Sequence, residues 1–371
     1  MLPDPVTLLT ELASIPSPPG EERAVADRVI EYLQELGIDV EEDDAGTRIG
    51  SSAGNLLARL EPADGGGRAI FLCAHLDTVP PGGPIEPIVE DGIIRNAGGT
   101  ILGADNKAAV VVMLEAVRRV VEERLPHAGI ELLFTPREEV GLEGAKAFDA
   151  SRLRARTGYV YDYEGPIGTI VTAAPFACQV DAVFTGRSAH AGMNPEDGRS
   201  AIAAAARAIA DLHLGRVDAE TTANVGAING GTARNVVPER CELHAEARSL
   251  DETKLAGIVQ EMLDSFTFAA SLGGCEVETT VIEKYRGYRI DRDEPAFRLA
   301  EEALNRCGFD VQTFDGGGAA DANVFNDRGL RCVNLTGGVA HFHSPDEHVA
   351  VEDLEAMTRV TLALVAAAAG S

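Results

Sequence analysis

The chain has 371 residues, more than one hydrophobic core usually holds, so its length points to two domains. Apolar residues make up 45 % and charged residues 25 %, the composition of an ordinary globular protein. A net charge of −27 argues against nucleic acid as a partner, because phosphate binding needs a basic surface. Such a charge serves solubility or a salt-rich cytoplasm.

In chain order, the opening MLPDPVTLLTELASIP lacks a basic stretch and a long apolar core, so no signal peptide is expected. Residues 8–12 and 24–36 have helical spacing, with Pro16, Pro18, Pro19 and Gly20 breaking between them. Residues 65–67 are glycine-rich and read as a loop. Unalternated apolar runs at 69–74, 130–134 and 158–161 read as buried parallel strands, and 107–121 as a helix between them. Strand alternating with helix is the α/β pattern, whose sites lie at the C-terminal ends of the strands. The pattern changes near residue 177. Residues 178–185 and 239–248 alternate polar with apolar, residues 200–212 and 251–266 read as helices, and 275–283 reads as another strand. That is the split βαβ plan. A helix at 294–306, a buried strand at 331–335 and a closing helix at 351–368 return to the first pattern. The apolar stretch 360–369 is too short to span a membrane. The expected architecture is an α/β domain of residues 1–176 and 287–371, with a mixed, mainly parallel sheet flanked by helices. Into it is inserted a ferredoxin-like α+β domain of residues 177–286. The six cysteines (Cys73, Cys178, Cys241, Cys275, Cys307, Cys332) form no CxxC pair and read as free thiols in a reducing cytoplasm.

Imidazoles and carboxylates stand beside the apolar runs. They are His75 and Asp77, then Asp105, then Glu138 and Glu139, then Asp162, and finally His343. Alone, each has a plain reading: Asp105 as a helix cap, the paired glutamates as acids at a helix start, Asp162 as a turn residue, His343 as a loop histidine. Together, each stands where an active site of this architecture would use it. Two histidines and three carboxylates can hold two divalent ions with one carboxylate shared, and a further carboxylate remains to act as a base. This composition suits metal-assisted hydrolysis with a bridging water.

These motifs resemble the co-catalytic zinc peptidase family that includes peptidase T, carnosinase-like dipeptidases, glutamate carboxypeptidase, succinyl-diaminopimelate desuccinylase and aminoacylase. The resemblance rests on AHLDTVP at 74–80, GADNKAAV at 103–110, REEVGLEGAKAF at 137–148 and HSPDE at 343–347, and it covers nearly the whole chain. Within the family the chain most resembles peptidase T-like members. The resemblance implies that Asp105 bridges two metals, with His75 and Asp162 completing one site and Glu139 and His343 the other. It implies that Asp77 orients His75 and that Glu138 is the general base. It further implies a cis bond between Asp105 and Asn106.

For the inserted domain the resemblance assigns three residues. His190 would stabilise the oxyanion in the partner subunit's site, Asn235 would contact substrate, and Arg248 would bind its carboxylate. The implied cofactor is a pair of divalent ions, zinc first, although the same ligands accept cobalt or manganese. The implied assembly is a cytoplasmic homodimer formed through the inserted domain, with residues 1–176 and 287–371 as the catalytic domain and 177–286 as the lid and dimerisation domain. One departure stands out: where peptidase T has an arginine before its glycines, this chain has Asp315 and Gly316 in DGGGAADA, so the carboxylate grip is altered. The leading expectation is a zinc aminopeptidase or tripeptidase acting on small peptides. The alternatives are an N-acyl amino acid deacylase or carboxypeptidase of the same family, and a non-catalytic metal-binding protein.

Overall fold

The computed structural model describes residues 2–63 and 66–371, so Gly65 of the glycine-rich stretch lies outside the described residues. The chain forms two compact units. One runs to Ala173 and resumes at Arg289; the other is Ala174–Tyr288.

In the first unit the three apolar runs become strands Ile70–His75, Ile130–Thr135 and Thr157–Tyr161, buried along their whole length. Ile70–His75 lies between the other two, parallel to both, and Arg331–Leu335 extends the parallel set beside Thr157–Tyr161. Leu56–Leu60 and then Val40–Glu42 continue antiparallel beyond Ile130–Thr135. At the other side Thr169–Ala174 pairs antiparallel with Arg331–Leu335, and Gln312–Asp315 pairs parallel with Thr169–Ala174. Helices flank this sheet. Ala104–Glu123 packs on Ile70–His75 and against Val351–Ala369, which also packs against Pro295–Arg306. Leu, Val, Ile and Phe dominate the parallel strands because both faces are covered, and the buried Glu131 and Asn334 among them are each hydrogen-bonded.

Each of the four parallel strands ends at the same edge, at His75, Thr135, Tyr161 and Leu335. The chemistry-bearing loops therefore start from one edge, as open α/β sheets require.

The second unit is an antiparallel sheet in the order Gly215–Arg216, Thr221–Gly230, Arg240–Ser249, Phe176–Thr185, Glu276–Tyr285. Its four long strands follow the order of the split βαβ plan. Alternation along the strands sends Val180, Ala182, Phe184, Cys241, Leu243 and Ala245 into one core. That core is closed by residues of helices Ala201–Asp211 and Glu252–Gly273, including Phe266, which meets Phe184 edge-on at 6.1 Å. The helices begin where side chains cap them: Ser200 Oγ accepts from the Ala203 N–H, and an Asp251 oxygen accepts from the Lys254 N–H.

Several elements have no counterpart in the sequence reading. A four-stranded sheet of Val339–Ala340, His348–Ala350, Ile93–Asn96 and Pro87–Glu90 is built from strands of two to four residues. Thr221–Gly230 carries a bulge between Val225 and Ala227 that breaks its alternation. Among the described residues no helix is long and apolar enough to cross a membrane.

Candidate metal centre

The first unit brings together seven of the sequence-predicted residues. His75 is the last residue of its strand, and Asp77 follows two positions on. Glu138 and Glu139 follow Thr135, and Asp162 follows Tyr161. Asp105 enters near the start of helix Ala104–Glu123, where Asp105 and Asn106 are non-helical and the bond between them is cis. His343 comes from the loop after Arg331–Leu335, with a left-handed backbone at φ 60°.

Asp105 lies between two imidazoles. Its Oδ2 is 3.1 Å from His343 Nε2, and its Oδ1 is 3.5 Å from His75 Nε2. His343 Nε2 is also 3.1 Å from Glu139 Oε1. Two sets of ligand atoms gather within 4.8 Å: His75 with Asp105 and Glu139, and His75 with Glu138 and Asp162. The Oδ1 of Asp105 is buried and makes no hydrogen bond, an orphaned acceptor of the kind that a cation satisfies. Imidazole nitrogens and carboxylate oxygens are also the donor set that zinc and related divalent ions take. The residues therefore fit metal.

Asp77 does more than the sequence reading allowed. Its backbone oxygen lies 2.8 Å from His75 Nδ1, so Nδ1–H donates there and Nε2 is left to face the cluster. Its carboxylate accepts from the Glu138 N–H at 2.9 Å and from the Glu139 N–H at 3.1 Å. One buried aspartate thus aims one histidine and two glutamates.

The electrostatics are those of crowded negative charge. Burial and the charge of Asp162 push Glu138 well above the usual carboxylate range. Burial and the charge of Asp105 do the same to Asp162. Burial would raise Asp105 as well, but His343 and His75 hold it below its ordinary value. Asp105 and Glu139 push His343 up to about 10. Burial alone would lower His75, yet Asp105 and Asp77 raise it. Two imidazoles cannot balance five carboxylates, and divalent cations would.

Three further residues beside the cluster received no role in the sequence reading. Lys107 is fully buried, donates to the Ile15 carbonyl at 2.6 Å, and is lowered by burial to about 7. Asp321 is buried and accepts from Thr135 Oγ1 at 2.5 Å. Glu347 is buried and accepts from three backbone N–H groups. Lys107 and Glu347 lie inside the quoted motifs GADNK and HSPDE, which were the available signal. Asp321 lies inside the quoted DGGGAADA, but its partner Thr135 is 186 residues away and spacing could not reveal it.

The remaining three sequence-predicted residues lie in the second unit. His190 is exposed, and its Nδ1 accepts from the Gly192 and Met193 N–H groups, each at 3.2 Å. With Nδ1 accepting, the proton of the neutral ring is on Nε2. Asn235 sits on the adjoining segment, where its carbonyl accepts from the Ala191 N–H at 2.9 Å. Arg248 lies near the end of strand Arg240–Ser249 and donates to Glu246 at 3.1 Å.

Comparison with known proteins gives a consistent answer. The pattern of peptidase family M20/M25/M40 matches residues 71–367. A solved structure of aminopeptidase PepT from Bacillus cereus ATCC 10987 is 38% identical, covers 98% of each chain and superposes with a TM-score of 0.92. A solved tripeptidase from Staphylococcus aureus subsp. aureus Mu50 is 35% identical, covers 99% of this chain and 98% of that one, with a TM-score of 0.95. Peptidase T of Escherichia fergusonii is 28% identical over 72% of this chain and 66% of its own length. The chain belongs to peptidase family M20/M25/M40, as a peptidase T-like metallopeptidase.

Proposed function

We propose that this protein is a dinuclear metal-dependent exopeptidase that hydrolyses small peptides as an aminopeptidase or tripeptidase. The observation that carries the reading is Asp105, whose two oxygens face two different histidines while one of them is buried without a hydrogen bond. A carboxylate so placed is suited to be shared. In this reading His75 and Asp162 complete one site and Glu139 and His343 the other. Zinc is the first choice of ion, with cobalt or manganese as substitutes. Bound divalent ions would polarise the scissile carbonyl and make a water acidic.

The chain's own residues do the rest. Glu138 takes the proton from the attacking water on a carboxylate oxygen and passes it to the leaving amine. Its proximity to His75 and Asp162 would also let it bind metal. Asp105 already spans the two histidines, so Glu138 is left for proton transfer. Asp77 fixes the backbone of both glutamates. His190, with its proton on Nε2, is poised to donate to the oxyanion in the partner subunit of a cytoplasmic homodimer. Asn235 contacts the substrate and Arg248 takes its carboxylate.

The test is a substrate panel on chelator-treated protein, alone and reconstituted with zinc or cobalt. Metal should restore hydrolysis of di- and tripeptides with a free N-terminus. Faster turnover of N-acyl amino acids than of peptides would replace this reading with a deacylase.

A further inference from the structure

The Glu347 carboxylate is 1 % exposed and faces no solvent. One oxygen accepts from the Leu102 N–H at 2.8 Å and the Gly103 N–H at 2.9 Å. The other accepts from the N–H of Asp105 itself at 2.8 Å. These are N–H groups at the start of helix Ala104–Glu123, where a helix leaves its donors unpaired and favours an anion. Gly103 is left-handed at φ 75° and Asp105 is non-helical, so the ordinary helix ladder does not set this turn. Hydrogen bonds to a charged acceptor are stronger than neutral ones and set it instead.

Glu347 is also four residues beyond His343 on one short loop. That loop is braced by the Glu347 N–H to the Ser344 carbonyl at 3.1 Å and by Ser344 Oγ to the His341 carbonyl at 2.9 Å. One loop therefore presents an imidazole to the Asp105 carboxylate and a carboxylate to the Asp105 backbone. Asp77 plays the matching part across the site, holding the backbone of Glu138 and Glu139. The buried ammonium of Lys107 feels the charge of both acids.

We propose that Glu347 is a positioning residue that fixes the Asp105–His343 separation, so that divalent-cation binding depends on a side chain that does not itself ligate. This rests on the reading of Asp105 and His343 as ligands. Both Glu347 oxygens are already engaged by N–H groups, so it acts through those two residues.

The experiment is a cobalt(II) titration of chelator-treated protein, followed by visible absorption and calorimetry. Glu347→Gln keeps the shape but turns an NH₂ toward backbone donors and loses the charge. It should fold, with a wild-type circular dichroism spectrum, and bind cobalt roughly 10–100-fold more weakly. A titration that superimposes on the wild type would overturn the proposal. Failure of the wild type to bind cobalt would instead overturn the metal-centre reading. In a His343→Ala background the effect of Glu347→Gln should shrink, because the pair whose spacing it sets is gone. An undiminished effect there would mean general destabilisation, and would also overturn the proposal. If Glu347→Gln does not fold, wild-type hydrogen exchange decides. Slow exchange at Leu102, Gly103 and Asp105 supports the clamp, and exchange at unprotected rates removes it.

Discussion

In the proposed reaction Glu138 must stand close to the reacting water, and the Asp77 bond to its N–H helps to place it there. Glu138→Gln removes proton transfer and leaves the proposed ligand set whole. We predict a kcat lower by roughly 10²–10⁴-fold or more with two metals retained by elemental analysis. Near-normal kcat, or a lost metal, would assign Glu138 a different part. Asp321 gives a second prediction at this scale. Burial raises its pKa from 3.8 to about 6, against the pull of the Thr135 hydrogen bond. At low pH both the folded and unfolded chains are protonated there, and burial costs nothing. Between about pH 4 and 6 the unfolded chain ionises while the folded chain keeps its proton, so stability falls as pH rises. Above about 6 the loss is complete, about 3 kcal/mol by linkage. Asp321→Asn cannot ionise and its carbonyl can still accept from Thr135. Its Tm relative to wild type, in chelator-treated protein, should therefore climb between pH 4 and 6 and then level. A difference that stays flat with pH would mean that Asp321 does not ionise in this window.

Among the elements, the parallel strands carry both the fold and its legibility. The runs at 69–74, 130–134 and 158–161 could be read from sequence, each within a residue of the strand bounds, because a strand buried on both faces needs no alternation. Their ends pointed to the site for the same reason. The sequence reading began the helix at residue 107, where helical backbone becomes continuous beyond the non-helical Asp105 and Asn106. Propensity cannot register the turn before it, because Glu347, more than 200 residues downstream, accepts its N–H groups. The split βαβ plan requires the strand Thr221–Gly230, but its bounds were illegible because half of it is exposed and its bulge shifts the alternation. Asp77 was read as a partner of His75, but its two bonds to the glutamate backbones depend on strand neighbours that sequence spacing does not reveal. The packing between strands gives a further prediction. A Cβ on Gly158 would lie 2.0 Å from the ring of Phe71, which is fully buried and meets Phe325 edge-on at 5.2 Å. Gly158→Ala must displace that ring, at a cost of about 1–3 kcal/mol. We predict a Tm lower by several degrees on scanning calorimetry. An unchanged Tm would show that the core has room which the structure does not contain.

At the scale of the whole molecule, one unit gathers the candidate metal ligands and the other carries His190, whose Nδ1 is held by two backbone N–H groups. A donor fixed in this tautomer suits charge that develops on a substrate oxygen, an interaction strongest in the transition state. Losing one such donor costs about 10²–10³-fold in kcat. We predict that loss for His190→Ala, with metal content unchanged because His190 ligates nothing. Whether it serves its own subunit or a partner is decided by mixing. Inactive His190→Ala chains are combined with inactive Glu138→Gln chains and allowed to exchange. In a mixed dimer one site would draw Glu138 from the first chain and His190 from the second, and activity should reappear in that site alone. Verified exchange without recovery would place His190 in cis, or outside the reaction. Recovery would make the dimer the catalytic unit, and activity should then fall on dilution as subunits separate.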